Sequence, residues 1–427
     1  MASIYRDVFV SLSLRFIVVA YSVYHDASYD VPYTDVDMYV YLDAASRVDA
    51  ADAIATMHRA FDAPTYRYTP LLALTLSTLG AHVVTSKVIF CIADVLVGVL
   101  IHAVAREITT PANAVKCATL WLYNPLAINI ATRGSCDAMM ALVPVTAALA
   151  AFARLDKSSF AHSLDRRRLG LPLLSGLCLG VAAHARIYPV LYGPCTLVAV
   201  YHAAGLAAAA AFACGCALGG GVPTAICLWT DTFAEAGDMP YLSHALLYHT
   251  KRVDFRHNFA PHWLPAYLSR FRGGDADDSN GTTYAEHIVA GPNYPQLAAV
   301  AATMWATIPS QHAPGAKTRQ LVVCYLCSTM AFVALNKVIT AQYFVWWIVF
   351  LSFLPIYCSR WRGVLLSCAV WVVAHGAWLA CAYQLEFTSP PPTGAAAWTH
   401  AASCAFVTMK CLLVCVTLQL ARKENVM

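Results

Sequence analysis

VPYTDVDMYVYLDAA, residues 31–45, is a polar stretch that follows directly on an apolar segment, residues 8–24. It carries three carboxylates, Asp35, Asp37 and Asp43, among the aromatics Tyr33, Tyr39 and Tyr41. Two readings fit these residues taken alone. The stretch is a solvated turn beside a membrane span in which Thr34 or Asp35 caps a helix, or its acids do chemistry. The placement of the chain's other charged motifs decides between them.

The surrounding composition is that of a membrane protein. Of 427 residues, 59% are hydrophobic and only 12% charged, against roughly 25% charged in ordinary soluble domains; mean hydropathy is +0.56. The net charge of +4 gives no basis for nucleic-acid binding and matters through its placement in loops. Most of the sixteen cysteines lie inside apolar runs, where they act as small apolar residues. Cys324 and Cys327 form a CxxC without a second pair or a nearby histidine cluster, which is too little for a metal site. The first apolar segment lacks a small-residue cleavage site and is expected to stay as a signal anchor.

Apolar runs long enough to cross a bilayer core recur along the chain. They cover residues 8–24, 70–84, 88–105, 114–131, 139–153, 171–185, 190–203, 207–229, 294–309, 320–335, 341–358, 364–383 and 399–420. The fold class is therefore all-α: a polytopic transmembrane protein with about 12–13 membrane segments. Residues 1–427 read as a single integral-membrane domain, with a first lumenal loop at 25–69 and a large one at 230–293. The basic clusters are Arg154, Lys157 and Arg166–Arg168, then Lys317 and Arg319, Arg360 and Arg362, and Arg422 and Lys423. Placing all of them on the cytosolic side is self-consistent from residue 171 onward. Before that point one candidate too many crosses. Segment 70–84 or 114–131, each with proline and a broken pattern, is expected to be short, re-entrant or split. A further stretch, residues 49–61, has Ile54, Met57 and Phe61 on one helical face and is expected to lie flat on the interface.

In this orientation the polar motifs gather at one set of span ends. They are Tyr33–Asp37, Arg67-Tyr68, Arg133 with Asp137, His184-Ala185-Arg186, the run YHTKRVDFRHNF at 248–259, and Lys337 with Gln342. Ionised groups at span ends reach water, whereas at mid-span each costs about 2.5–3.5 kcal/mol on insertion scales. The run 248–259 holds His249, Arg252, Asp254, Arg256, His257 and Asn258. It reads either as a solvated amphipathic helix or as a phosphate-gripping surface, with Arg supplying forked donors and His or Lys a point charge. Asp94 is expected to be a buried, paired residue; Lys410 sits mid-span and must snorkel or face the interior.

These motifs carry a resemblance. YTDVDMYVYLDAA, PTYRYTPLLA, KVIFCIADVLVG, LWLYNPLAINIATRGSCDAMMALV, GVAAHARIYPVLY, YHTKRVDFRHNFAPHWLPAYL and ALNKVITAQYFVWW, spread over residues 31–347, resemble the GPI mannosyltransferase I family. The resemblance implies GT-C architecture, with helices around a lumenal site, lumenal interfacial helices and a catalytic acid in the first lumenal loop. It also implies the endoplasmic reticulum membrane and a small stabilising membrane subunit. The implied reaction is transfer of the first mannose, α1,4, from dolichyl phosphate mannose to glucosaminyl-phosphatidylinositol. Two positions depart from the family pattern: Cys136 stands before Asp137 instead of a small Ala, and Arg186 replaces a Lys.

A β-linked donor and an α product require inversion by one displacement, so a carboxylate must take the acceptor's proton. Asp35 and Asp37 are the candidates, with Asp37 favoured. The leaving phosphate needs positive charge, which Arg67, Arg133, His184, Arg186, Arg252, Arg256 and His257 can supply. Tyr68, Asp137, His249, Asp254, Asn258, Lys337 and Gln342 complete the expected substrate-binding set. No cofactor is expected; a divalent cation bridging Asp35 and Asp37 is the alternative arrangement. Competing functions are a GT-C transferase with another acceptor, a lipid transporter or flippase built on Asp94 and Lys410, and a non-catalytic assembly subunit. The transporter reading expects inverted repeats, which the sequence does not contain.

Overall fold

The structure is a computed structural model that describes residues 2–158, 167–234, 238–252, 254–272, 293–308, 315–357, 361–388 and 391–423. Arg166, Arg360 and Asn280-Gly281-Thr282, a glycosylation sequon in the large loop, lie outside the described residues. All regular structure among those residues is helical. Among the described residues, six helical stretches are long and apolar enough to cross a membrane: Ile4–Ser28, Val83–Ile108, Ala138–Ser158, Tyr188–Phe233, Leu366–Phe387 and Ala395–Gln419. The chain is an all-α, multi-pass membrane protein. It divides into two compact units, residues 1–248 with 308–322 and 348–356, and residues 249–307 with 323–347 and 357–427.

In the first unit, α1 (Ala2–Ser28) leads through the loop 29–35 into α2 (Val36–Arg47). The next helix, α3 (Pro70–Thr78), has nine residues, about 13 Å at 1.5 Å per residue, too short for a bilayer core of about 30 Å. α4 (Val83–Ile108) then runs its full length. The expected span 114–131 is split into α5 (Pro111–Leu122) and α6 (Pro125–Arg133). The break lies at Asn124, whose side chain accepts from the Leu126 and Ala127 amides at 2.9 and 3.3 Å. Pro125 opens α6, where its missing N–H is no loss. Together α5 and α6 still run along α1 and its following loop: the Leu122 carbonyl accepts from Ser11 of α1 at 2.8 Å, and the Arg133 carbonyl accepts from the amide of Asp35 in the loop at 2.9 Å. Both segments expected to be irregular are so: 70–84 holds a short helix and 114–131 is split.

The interface stretch departs from its expected face. It forms short turns, Ala50–Asp52, Ala53–Thr56 and Met57–Asp62. Met57 and Phe61 are buried against Tyr41, Tyr66 and Tyr241, while Ile54 is exposed. A 3-10 geometry turns side chains by 120° per residue rather than 100°, so the three do not stay in line.

α1 and α4 are joined by buried polar groups. Arg15, wholly buried, donates to Asp94 at 2.8 and 2.5 Å, to the Leu122 carbonyl at 3.0 Å and to Ser11. The Trp121 indole donates to the Asp94 carbonyl at 2.9 Å. Asp94 is thus paired as expected, with a partner that the apolar look of α1 conceals.

α7 (Val143–Ser158) follows a π-helical turn at Ala138–Leu142 and packs on α8 (Arg167–Ala185). α9 (Gly193–Cys216) breaks at Gly205, where φ is +81° and ψ −173°. The apolar stretch Tyr188–Phe233 therefore holds the two spans expected at 190–203 and 207–229. A π turn, Ala217–Gly221, joins the second half to α10 (Val222–Thr230). That half runs parallel to α8, with backbones nearly touching. A Cβ on Gly176 would lie 2.0 Å from the Phe212 carbonyl oxygen, one on Gly215 2.2 Å from that of Leu173, and one on Gly219 2.1 Å from that of Leu177. Gly176 and Gly180, and Gly215 and Gly219, are small-xxx-small pairs, which let helices approach without a hydrophobic driving force between them.

The second unit contains α11 (Trp263–Arg272), α12 (Tyr294–Thr307), most of α13 (Ala316–Ala334), the start of α14 (Val345–Leu351), α15 (Trp361–Phe387) and α16 (Ala395–Lys423). Its centre is aromatic: Phe259, Phe344, Trp371, Trp378 and Phe406 are buried together. Lys410 of α16 faces this interior rather than snorkelling, with its ammonium 4.8, 5.5 and 5.9 Å from the rings of Phe344, Phe406 and Trp347.

The glycine packing gives a direct test. Gly176→Ala is expected to destabilise the folded chain by about 1–3 kcal/mol or more, because the obstacle is backbone and cannot swing away. Gly376→Ala, in α15 with open space at its Cβ, is expected to be neutral. Thermal unfolding of both variants in detergent, followed by size-exclusion fluorescence, checks the contrast.

Candidate functional site

The loop residues 29–35 and the start of α2 place the two acids differently. Asp35 is the N-cap of α2, with extended backbone, and its carboxylate accepts from the Asp37 amide at 3.2 Å. Its other oxygen lies 3.4 Å from the Arg133 guanidinium. The capping role and the charged role, alternatives from sequence, therefore fall on different residues. Asp35 caps; Asp37, in the first turn of α2, points its carboxylate toward Tyr68, whose phenol donates to it at 2.7 Å. An acid in the first turn also sits in the favourable field of the helix N-terminus.

Tyr68 is held from three sides. Tyr41 meets its ring edge-on at a centroid distance of 4.8 Å, Tyr66 lies 5.6 Å away, and the Arg186 guanidinium stacks 4.6 Å from its ring. Burial, followed by the neighbouring Asp37 charge, pushes the Tyr68 phenol well above its ordinary value. It therefore keeps its proton and stays a donor to Asp37 throughout the neutral range. Arg186 is in turn fixed by Asp137, at 2.7 Å from Nε and 2.6 Å from Nη2, and Asp137 also accepts from the Ser135 hydroxyl at 3.2 Å. The π turn that follows Asp137 and the left-handed Gly134 (φ +103°) that precedes Ser135 set this corner. A Cβ at Gly134 would meet the Met38 side chain at 2.6 Å.

Of the residues expected to contact substrate, Asp35, Asp37, Tyr68, Arg133, Asp137 and Arg186 thus form one linked cluster in the first unit. Asp137 and Arg186 are engaged mainly with each other beneath Tyr68, so Arg186 presents little more than its edge. Arg133 also lines a cleft of about 460 Å³ with His25, Tyr29, Tyr33 and Asn129. Arg67 stands near by: it donates to the Tyr66 and Pro64 carbonyls at 2.7 and 2.9 Å, and its guanidinium lies over the Tyr248 ring at 4.7 Å. His184 is placed differently. It is buried and bonded through Nδ1 to Thr224 at 3.0 Å, joining α8 to α10.

The remaining expected residues belong to the second unit. Arg252 donates to Asp254 at 3.0 and 2.5 Å and to the Tyr343 phenol at 3.2 Å. Asn258 is buried with its amide engaged in backbone bonds: it donates to the carbonyls of Asp254 and Lys337 and accepts from the amides of Ala260 and Ile339. It holds the 254–260 turn to the backbone of residues 337–339, a structural task that a loop sequence does not announce. His257 has φ +53°, in the left-handed region, and its ring is 3.7 Å from Glu386. Arg256 and His249 are exposed; Lys337 and Gln342 are half-buried, and burial lowers the Lys337 ammonium below its ordinary value.

Lys87 and Asp26 are linked to the acidic loop and were not singled out from sequence. Their signal is periodic: Ser11, Arg15, Ser22 and Asp26 fall on one face of α1, and Lys87 and Asp94 on one face of α4.

Comparison with known proteins fits this geometry. The family described as mannosyltransferase (PIG-M) matches residues 130–418. The GPI mannosyltransferase 1 of Aspergillus oryzae is 30% identical over 88% of this chain and 88% of its own length. That of Gibberella zeae is 30% identical over 95% and 92%, and that of Saccharomyces cerevisiae 29% identical over 86% and 83%. Matches of this extent show that the chain belongs to the PIG-M mannosyltransferase family.

Proposed function

We propose that this membrane mannosyltransferase of GPI-anchor biosynthesis takes its sugar from dolichyl phosphate mannose. It places the sugar on O4 of the glucosamine of glucosaminyl-phosphatidylinositol, as the first, α1,4-linked mannose. The observation that carries the reading is the Asp37–Tyr68 hydrogen bond beside Arg133 and Arg186, which gives one acid a fixed direction among groups suited to phosphate. In the reaction the acceptor O4 attacks C1 of mannose from the face opposite the phosphate, and the C1–O bond to phosphate breaks. Asp37 takes the proton that O4 loses, and dolichyl phosphate departs with the bonding electron pair, stabilised by guanidinium charge. Inversion of the β-linked donor gives the α product. Tyr68 orients the base, and Asp35 caps its helix and positions Arg133.

The leaving group is a monophosphate and needs charge rather than protonation, so the reading requires no metal. The N-cap bond and the Arg133 pair engage Asp35 in this arrangement. The enzyme sits in the endoplasmic reticulum membrane with residues 25–69 and 230–293 lumenal and both termini cytosolic, a topology supported by the lysine and arginine distribution. A small membrane subunit accompanies it; full activity of the chain expressed alone, in a host without a homologous subunit, would remove that part of the reading.

Asp37→Asn is expected to keep the fold and donor binding but to lower single-turnover transfer by a factor on the order of 10²–10⁴, the usual worth of a general base. Asp35→Asn is expected to cost less. Comparable losses from both, together with loss of wild-type activity in EDTA, would replace the base by a bridging cation; near-normal transfer by Asp37→Asn would remove Asp37 from the chemistry. Glycosylation acceptor sites inserted near Asp277 should be modified and those near Arg166 should not. The opposite pattern would place the acidic loop on the cytosolic side.

A further inference from the structure

Lys87 lies in the first turns of α4 and is 1% exposed. Its ammonium donates to the Ser22 hydroxyl at 2.8 Å and to the Thr34 hydroxyl at 2.6 Å, and Asp26 Oδ2 is 3.9 Å away. Asp26, near the end of α1, accepts from the Tyr33 amide at 2.6 Å, from the Thr34 amide at 3.1 Å and from the Thr34 hydroxyl. The Tyr33 ring covers the ammonium at 5.6 Å, and its phenol donates to Thr132 at 2.7 Å. Thr132 uses its own proton on the Ile128 carbonyl at 2.7 Å. One residue further on, the Asp35 amide is fixed by the Arg133 carbonyl. Every backbone amide from Tyr33 to Asp35 therefore has a partner outside the loop, and two of the three are held by the carboxylate that Lys87 balances.

This is more order than a connection between two helices needs. The loop ends at the N-cap of α2, so its placement sets where the first turn of α2 starts and where Asp37 points. A displacement of about 1 Å in a reacting group costs on the order of 100-fold in rate. We propose that Lys87 and Asp26 are positioning residues for the transfer reaction: the buried Lys87 and the half-buried Asp26 together fix Tyr33–Asp35 and, through the start of α2, aim the Asp37 carboxylate. The assignment rests on the reading of Asp37 as the base. Neither residue contacts substrate, and neither belongs to the phosphate-binding set.

A merely structural pair and a positioning pair differ in one respect. Removing Lys87 alone leaves the Asp26 charge uncompensated, which lowers stability in either case. Removing both charges relieves that cost, and an Asn at position 26 can still accept from one loop amide. The test uses the full chain in lipid nanodiscs, comparing Lys87→Met, Asp26→Asn and the double variant Lys87→Met/Asp26→Asn. The readings are melting temperature, kcat, and KM for dolichyl phosphate mannose and for glucosaminyl-phosphatidylinositol, with Asp37→Asn run beside them.

The expected result is that the double variant recovers the wild-type melting temperature while kcat stays at least 10-fold down, with both KM values within about twofold of wild type. Lys87→Met should show the same kcat loss with a lower melting temperature. Recovery of kcat together with melting temperature in the double variant would make the pair structural only and overturn the proposal. So would a wild-type kcat for Lys87→Met per folded molecule, or a loss confined to KM. Near-normal transfer by Asp37→Asn would instead refute the choice of base, a result separable from the response of the pair itself.

Discussion

Arg15 and Asp94 meet in the middle of a seam between two membrane helices, and the first unit is arranged around satisfying them. An ionised side chain at that depth is tolerated only when it is paired and its remaining hydrogen-bonding groups are used. Here the guanidinium reaches Asp94, the Ser11 hydroxyl and the Leu122 carbonyl. The last contact is available because α5 ends at that level, where the backbone carbonyls of a final helical turn lack intrahelical partners. The break between α5 and α6 is thus a place where an interrupted helix and a buried cation satisfy each other. Removing either charge of such a pair costs about 3–5 kcal/mol, which makes the registry of α1, α4 and α5 hard to change.

The same seam continues upward to Lys87, Asp26 and Thr34 and ends at the acidic loop. The pairing within the helix seam and the arrangement of the acidic loop are therefore parts of one structure. Registry fixed by Arg15 and Asp94 sets the height of Lys87, Lys87 and Asp26 hold the loop, and the loop starts the helix that carries Asp37. From the other side, Asp137 fixes Arg186, Arg186 stacks on Tyr68, and Tyr68 donates to Asp37. Arg186, one of the two positions read from the resemblance as departures from the family pattern, lies in this second chain of contacts. The forked guanidinium of Arg186 both pairs with Asp137 and lies flat on the tyrosine face, a combination suited to its planar group.

Close helix packing supplies the rest of the first unit's rigidity. Gly176, Gly215 and Gly219 bring α8 into backbone contact with the second half of α9 and the π turn that follows it. In lipid such contact replaces the hydrophobic drive that water would provide. No outward sign of association follows from these glycines, because they are used within the chain.

Much of this was legible in the sequence. The length and recurrence of apolar runs determined an all-α multi-pass protein, because only helices satisfy their own backbone at that depth. Prolines and a broken polar pattern marked 70–84 and 114–131 as irregular, and a lone acid in an apolar run marked Asp94 as paired. The acids at 35 and 37 stood out because a charge-poor protein leaves few alternatives. Tertiary structure decided what depends on distance between segments remote in the chain. It chose Arg15 as the partner of Asp94, though hydropathy averages a single arginine away within an apolar helix. It joined Asp137 to Arg186 and bound Asn258 to backbone, partners that motif reading did not name. It also separated the roles of Asp35 and Asp37, since capping depends on backbone angles and orientation depends on Tyr68, thirty-one residues away. A sequence pattern records which groups must find partners; only the packed helices decide which partner each one meets.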